Sequence, residues 1–154
     1  MAQNALDSID RRILRELQED ATLPIAELAE RVGLSQTPCW KRLKRLVDTG
    51  VIERRVALLD RRKLDLGLTV FVSVRTNRHN EEWLRQFAQG VTALPEVVEF
   101  HRLSGETDYL LKVVVSDIAA YDRFYHRLIA VAPLTDVSSS FAMEEIKYTT
   151  AVPL

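Results

Sequence analysis

The stretch Gly33-Leu34-Ser35-Gln36-Thr37-Pro38-Cys39-Trp40-Lys41-Arg42-Leu43-Lys44-Arg45-Leu46 constrains the fold of this 154-residue chain more than any other part of it. It reads as a helix stop at glycine, a three-residue turn, and a second helix with a cationic outer face. This is the sequence form of the second helix of a helix-turn-helix, the element that enters the major groove of DNA.

Periodicity in the flanking residues supports that reading. From Asp7 or Ser8, either of which is a good N-cap, Ile9, Ile13, Leu14 and Leu17 form one stripe of a helix expected to end near Asp20. Pro24 suits the first turn of a second, short helix whose face carries Ile25, Leu28, Ala29 and Val32 and which Gly33 ends. Ser35 offers an N-cap for the third helix, expected to run to Gly50. Placing residues 100° apart puts Cys39, Leu43 and Leu46 inward and Thr37, Lys41, Lys44 and Asp48 outward.

The wheel assigns candidate DNA contacts. Ser35, Gln36 and Thr37 lie at the helix start, where side chains reach base edges. Lys41 and Lys44 reach bases or phosphates, Arg42 and Arg45 flank them as phosphate ligands, and Arg54 and Arg55 extend the basic surface. Trp40 borders the two faces and either caps the small core or touches a thymine methyl, with burial the favoured expectation. Cys39, on the apolar side, is expected to be a buried, inert thiol. A redox role lacks a resolving partner, since this is the chain's single cysteine.

Charge is segregated along the chain. Residues 1–34 carry four basic and seven acidic side chains, residues 35–63 nine and three, and residues 64–154 eight and twelve, so a +6 segment lies between segments of −3 and −4. Such a cluster supplies the phosphate-directed field of a DNA-binding surface, although a solvated helix face followed by a charged linker has the same composition. One cysteine and three scattered histidines make no zinc site, so no metal and no cofactor are expected. With no long apolar run and no signal-peptide pattern at the start, the expected location is the cytoplasm, in association with the nucleoid.

Residues 51–59 have the pattern of a strand that acts as a wing or a connector, and Asp60 to Gly67 mark a boundary. The expected division is therefore 1–60 for DNA binding, 61–67 as linker and 68–154 as a second domain. In that domain, residues 68–76 alternate as a strand and 81–94 carry helical spacing closed by Pro95. Residues 97–103 and 109–115 make a hairpin around Ser104-Gly105-Glu106-Thr107. Asp117 caps a helix with Ile118, Tyr121, Phe124, Tyr125 and Leu128 inward, and a last strand is expected over 137–147. The order βαββαβ is that of a ferredoxin-like sandwich, so the fold class is α+β: a winged helix-turn-helix followed by a ferredoxin-like, RAM/ACT-like domain. Phe71, Leu110 and Val114 on the sheet suggest that its free face is covered by a second copy, giving a homodimer with two recognition helices.

Four segments together carry a resemblance over nearly the whole chain: Leu-Asp-Ser-Ile-Asp-Arg-Arg-Ile-Leu at 6–14, Val-Gly-Leu-Ser-Gln-Thr-Pro-Cys at 32–39, Ser-Gly-Glu-Thr-Asp-Tyr-Leu-Leu at 104–111, and Met-Glu-Glu-Ile-Lys at 143–147. On these the chain resembles the Lrp/AsnC, or feast/famine, transcriptional regulators. The resemblance implies an amino-terminal DNA-binding domain and an amino-acid-sensing domain that dimerises through its sheet. It further implies assembly of dimers toward octamers, with a small effector between dimers. Residues 40–46, 56–60, 139–144 and 146–150 resemble those of the DecR-type regulators of cysteine detoxification, which implies L-cysteine as the effector.

The family's effector site, carried onto this sequence, falls on Ser104, Gly105, Glu106, Asp108 and Tyr109, with Ser138, Ser139 and Ser140 as a second wall. Gly105 would let backbone amides approach a carboxylate, and Asp108 or Glu106 would pair with an α-ammonium. By residue preference alone the same segment is an ordinary turn. No nucleophile–base pair is spaced for catalysis, since His79, His101 and His126 fall on a loop, a strand and a helix, and an enzyme is not expected. The competing classes are a stand-alone amino-acid-binding module, which has no use for the +6 segment, and a low-specificity architectural DNA protein, which predicts no ligand effect.

Overall fold

The computed structural model describes residues 6–78 and 80–154; of the residues discussed above, His79 lies outside them. Packing divides the chain into two units, one formed by the residues up to Leu58 together with Lys147–Leu154, the other by Leu59–Ile146.

The first unit holds three helices, α1 (Ser8–Glu19), α2 (Ile25–Arg31) and α3 (Gln36–Asp48). Asp7 caps α1 in a reciprocal box: its carboxylate accepts from the Asp10 N–H at 2.8 Å, and the Asp10 carboxylate accepts from the Asp7 N–H at 3.2 Å. Pro24 stands at the N-cap of α2 rather than inside its first turn. Gly33, at φ +70°, closes α2: its N–H donates to Glu30 and the Leu34 N–H to Ala29, the paired bonds of a left-handed helix stop. Here glycine is required by the backbone, and Leu34 turns back onto the core. Ile13, Leu28, Ala29, Val32, Cys39 and Leu46 are almost wholly buried, and Leu154 from the tail packs against them.

The second unit has the expected order, with β1 (Leu68–Arg75), α4 (Glu81–Thr92), β2 (Val97–Arg102), β3 (Tyr109–Val115), α5 (Ile118–Val131) and β4 (Asp136–Phe141). The antiparallel sheet runs β2-β3-β1-β4. Val70, Val72, Val74, Leu111 and Val113 bury one face under Phe87, Val91, Phe124 and Leu128 of the two helices. The register places Phe71, Ser73, Leu110, Lys112, Val114, Ser138 and Ser140 on the opposite face. Phe71 there remains 39% exposed, while Leu110 and Val114 are half-buried.

Several sequence expectations are corrected. Residues 51–59 form no strand: Val56, Leu58 and Leu59 are exposed, and among the described residues no segment pairs with them, so strand propensity finds no ladder. The final strand stops at Phe141 rather than Lys147: β1 pairs it only from Val70 to Arg75, and Met143 and Ile146 beyond it are exposed. The third helix ends at Asp48, with Gly50 at φ +74° just past its cap. Ile118 points outward, because the first residue after the Asp117 cap lies at the rim of α5.

Candidate DNA interface and effector site

Most of the candidate DNA-contacting residues lie on α3. Ser35, Gln36, Thr37, Lys41 and Lys44 are exposed, while Cys39 and Leu46 are buried beneath them, as the 100° wheel requires. Ser35 is the N-cap by backbone geometry but makes no side-chain capping bond, so its hydroxyl is free to serve a ligand. Trp40 is 52% exposed, which corrects the expectation of a core cap: its position between the faces leaves the indole beyond the reach of a core only three helices deep. Lys44 pairs with Asp48 at 2.6 Å on the surface, a contact of little energy that a phosphate can replace. Arg54 and Arg55 are exposed on the extended segment after α3. Burial pushes the Cys39 thiol above its ordinary value, consistent with an inert side chain.

Arg42 and Arg45 are engaged within the protein. Arg42 Nη1 donates to Asp7 at 2.6 Å and to Asp10 at 2.9 Å, and Arg45 Nη2 donates to the other Asp10 oxygen. Asp10 is 1% exposed, so a buried carboxylate on α1 grips α3 at two points one turn apart. Sequence reasoning missed this anchor. The Asp7-x-x-Asp10 spacing was the available signal, since it is that of a capping box.

At the hairpin, Ser104, Gly105 and Glu106 are exposed, with Gly105 at φ +129°, a conformation that L side chains rarely adopt. Asp108 is half-buried and locks the turn to the end of β1: its Oδ2 accepts from the Thr76 N–H at 2.8 Å, its N–H donates to Val74 and its carbonyl accepts from Leu103. Tyr109 lies on the helix-covered face, its ring 5.2 Å from Phe87 and 6.0 Å from Trp83. Ser139 faces the same interior, hydrogen-bonded to the Tyr121 hydroxyl, whereas Ser138 and Ser140 lie on the free face opposite Ser73 and Phe71. The eight residues are therefore split between a loop tip, the free face and the core. His101 pairs with Glu99 on β2 and His126 with Asp122 on α5. Among the described residues no group of three or more His, Cys, Asp or Glu could hold a metal, and no helix is long and apolar enough to cross a membrane.

A helix-turn-helix with an exposed cationic reading helix, followed by a βαββαβ sandwich in a separate unit, defines the class: a DNA-binding protein with an attached α+β domain. Comparison with known proteins narrows this. Residues 6–53 match the winged helix-turn-helix DNA-binding model, and residues 69–152 match the Lrp/AsnC ligand binding domain. The chain is 55% identical over 150 residues to the DNA-binding transcriptional activator DecR of Escherichia coli K12, covering 97% of this chain and 99% of that one. It is 60% identical to an AsnC family transcriptional regulator from Agrobacterium tumefaciens, with a TM-score of 0.93 and 96% of each chain covered. A Neisseria meningitidis transcriptional regulator in complex with L-Met superposes with a TM-score of 0.92 at 41% identity, covering 97% of each chain. The chain belongs to the Lrp/AsnC family of DNA-binding transcriptional regulators.

Proposed function

We propose that the protein reads DNA through the exposed edge of α3 and that an α-amino acid bound to the βαββαβ unit controls that reading. The observation that carries the first half is the anchoring of α3: with Arg42 and Arg45 held by Asp7 and Asp10, the middle and last turns of the helix are fixed against α1 while Gln36, Thr37, Lys41 and Lys44 stay exposed. Gln36 and Thr37 read base edges, with Ser35 beside them. Lys41, Lys44, Arg54 and Arg55 neutralise phosphates, and Trp40 is placed for a thymine methyl. Arg42 and Arg45 retain further N–H donors for phosphate oxygens beyond those given to the aspartates.

For the effector, the exposed turn at Ser104, Gly105 and Glu106 offers backbone N–H groups to a carboxylate and a side-chain carboxylate to an ammonium, with Ser138 and Ser140 as a further polar wall. Asp108, Tyr109 and Ser139 act from behind, because their contacts lie within the protein. L-cysteine is the effector that the likeness to DecR-type regulators favours, and L-methionine, bound by the Neisseria relative, is its competitor. The free sheet face around Phe71, Leu110 and Val114 pairs two copies into a homodimer. Four such dimers form the octamer, and the effector favours one assembly over another, since a ligand with equal affinity for both would shift nothing. The activity is binding rather than catalysis, in the cytoplasm on the nucleoid.

The test is binding of the full chain to DNA upstream of its own and neighbouring genes, at two salt concentrations, with L-cysteine, L-methionine and other amino acids. Sequence-specific binding that one amino acid alters supports the reading; specific binding that none alters removes the effector. Lys44→Ala should weaken binding across all sequences and lower the salt slope by about one. Glu106→Gln is a cleaner probe of the effector site than a change at Asp108, whose carboxylate caps the Thr76 N–H. It should abolish the amino-acid effect and leave DNA affinity unchanged.

A further inference from the structure

The chain leaves the DNA-binding unit at Leu58 and returns to it at Lys147, so its last residues belong to the three helices and not to the sheet they follow. The return is built from specific bonds. Gln18, on α1, grips the Val152 peptide at both ends: its Oε1 accepts from the Val152 N–H at 2.6 Å and its Nε2 donates to the Val152 carbonyl at 3.2 Å. Arg15, one turn earlier, donates to the Leu154 main-chain oxygen through Nε at 3.2 Å and Nη2 at 2.6 Å. Leu154 also packs by its side chain on the core that holds Ile13, Leu14 and Leu46. Tail and α1 border a cleft of about 470 Å³ whose other walls include Val51, Ile52 and Val56.

We propose that residues 150–154 fasten the DNA-binding unit, and that Gln18 and Arg15 are positioning residues through which this tail fixes the recognition helix. α1 is the hub. Its first half holds α3 through Asp10, Arg42 and Arg45, and its second half holds the tail through Arg15 and Gln18. Three helices this short share a small core, and a unit of this size is marginally stable, so an added constraint has a measurable effect. Leu154 and the four bonds supply that constraint at the end of α1 that Asp10 does not reach.

The tail also continues the second unit: eight residues, 142–149, separate the end of β4 from Thr150. Of these, Glu145 is tied to Arg61, which also bonds Thr69 at the start of β1. The two units are thus joined by two covalent crossings, whose entry and exit segments are linked by the Arg61–Glu145 pair. This inference rests on the family's DNA binding and on no particular effector.

The experiment uses the full chain carrying Gln18→Ala with Leu154→Ala. The read-outs are hydrogen exchange by mass spectrometry and binding to a duplex from its own upstream region over a salt series. We expect exchange to rise in α1 and α3 but not in β1 or β3, and DNA affinity to fall by roughly tenfold with the salt slope unchanged. A lost phosphate contact would instead lower the slope by about one. Unchanged protection of α1, or affinity within about twofold of the parent, overturns the proposal. The unsubstituted chain gives an independent check should the double variant fail to fold: the Val152 amide must be as protected as those of Arg15 to Glu19. Free exchange at Val152 refutes the fastening whatever DNA binding shows.

Discussion

Removing the Asp10 carboxylate should release the recognition helix. Asp10 is 1% exposed and accepts from Arg42, Arg45 and the Asp7 N–H. Loss of the reciprocal capping bond costs about 0.5–1 kcal/mol. Each charge-assisted bond to arginine is worth about 1.5–3 kcal/mol when buried. Arg42 and Arg45 side chains are 28% and 39% exposed and can rehydrate, so roughly half of that survives. Asp10→Ala should therefore destabilise the first unit by about 2–4 kcal/mol, a large share of what a domain of this size possesses. Asp10→Asn, which keeps an acceptor for the cap, should cost about 1–2 kcal/mol. Because the two units need not unfold together, the assay is hydrogen exchange resolved by peptide rather than a single melting temperature. For Asp10→Ala, protection in α1 to α3 should fall roughly 30- to 1000-fold, with β1 to β4 unaffected. A change below about twofold would show that the buried carboxylate is not the anchor, and an equal loss in both units would show that its role is not local.

Three further outcomes are expected, the first from the same cap and the others from packing elsewhere. The Asp10 N–H, and after it Arg42, hold the Asp7 carboxyl below the usual carboxylate range. A depressed folded pKa contributes stability that is complete above the unfolded value and lost as pH falls through the folded one, so the first unit should weaken below about pH 5 and Asp7→Asn should flatten that dependence in acid titrations. Gly90→Ala would bring a Cβ to 2.3 Å from Val131 Cγ1; despite the helical preference of alanine it should destabilise the second unit by about 1–3 kcal/mol in urea unfolding, and Val131→Ala should restore the loss. Cys39, fully buried with its thiol pushed up by burial, should react with a disulfide reagent only at the rate of unfolding, and prompt modification of the native protein would contradict its placement.

The helices and most strands were legible because their signals are local. Ile13, Leu14, Leu28, Val32, Cys39 and Leu46 repeat at helical spacing, Gly33 stands where a left-handed stop is needed, and β1 and β3 alternate at period two. Trp40 was misplaced because a residue at the border of an amphipathic face has no period to decide it. Residues 51–59 and 142–147 have strand composition, but a strand exists only where another edge accepts its hydrogen bonds, and composition carries no information about that edge. The candidate effector residues divide by the same geometry. Neighbours in sequence alternate between faces, so Ser139 turns to Tyr121 while Ser138 and Ser140 turn away.

Short-range patterns specified the reading helix and the order βαββαβ, since each depends on residues close together in the chain, and motifs spread from 6–14 to 143–147 carried the likeness to the Lrp/AsnC family. Tertiary structure alone decided that Asp10 holds Arg42 and Arg45, residues 32 and 35 positions away, and that Gln18 holds Val152 at a separation of 134. Hydrogen bonds of that kind depend on where two distant backbones meet, and a pattern of hydrophobic spacing specifies which face of an element is buried without specifying which polar atom it meets there.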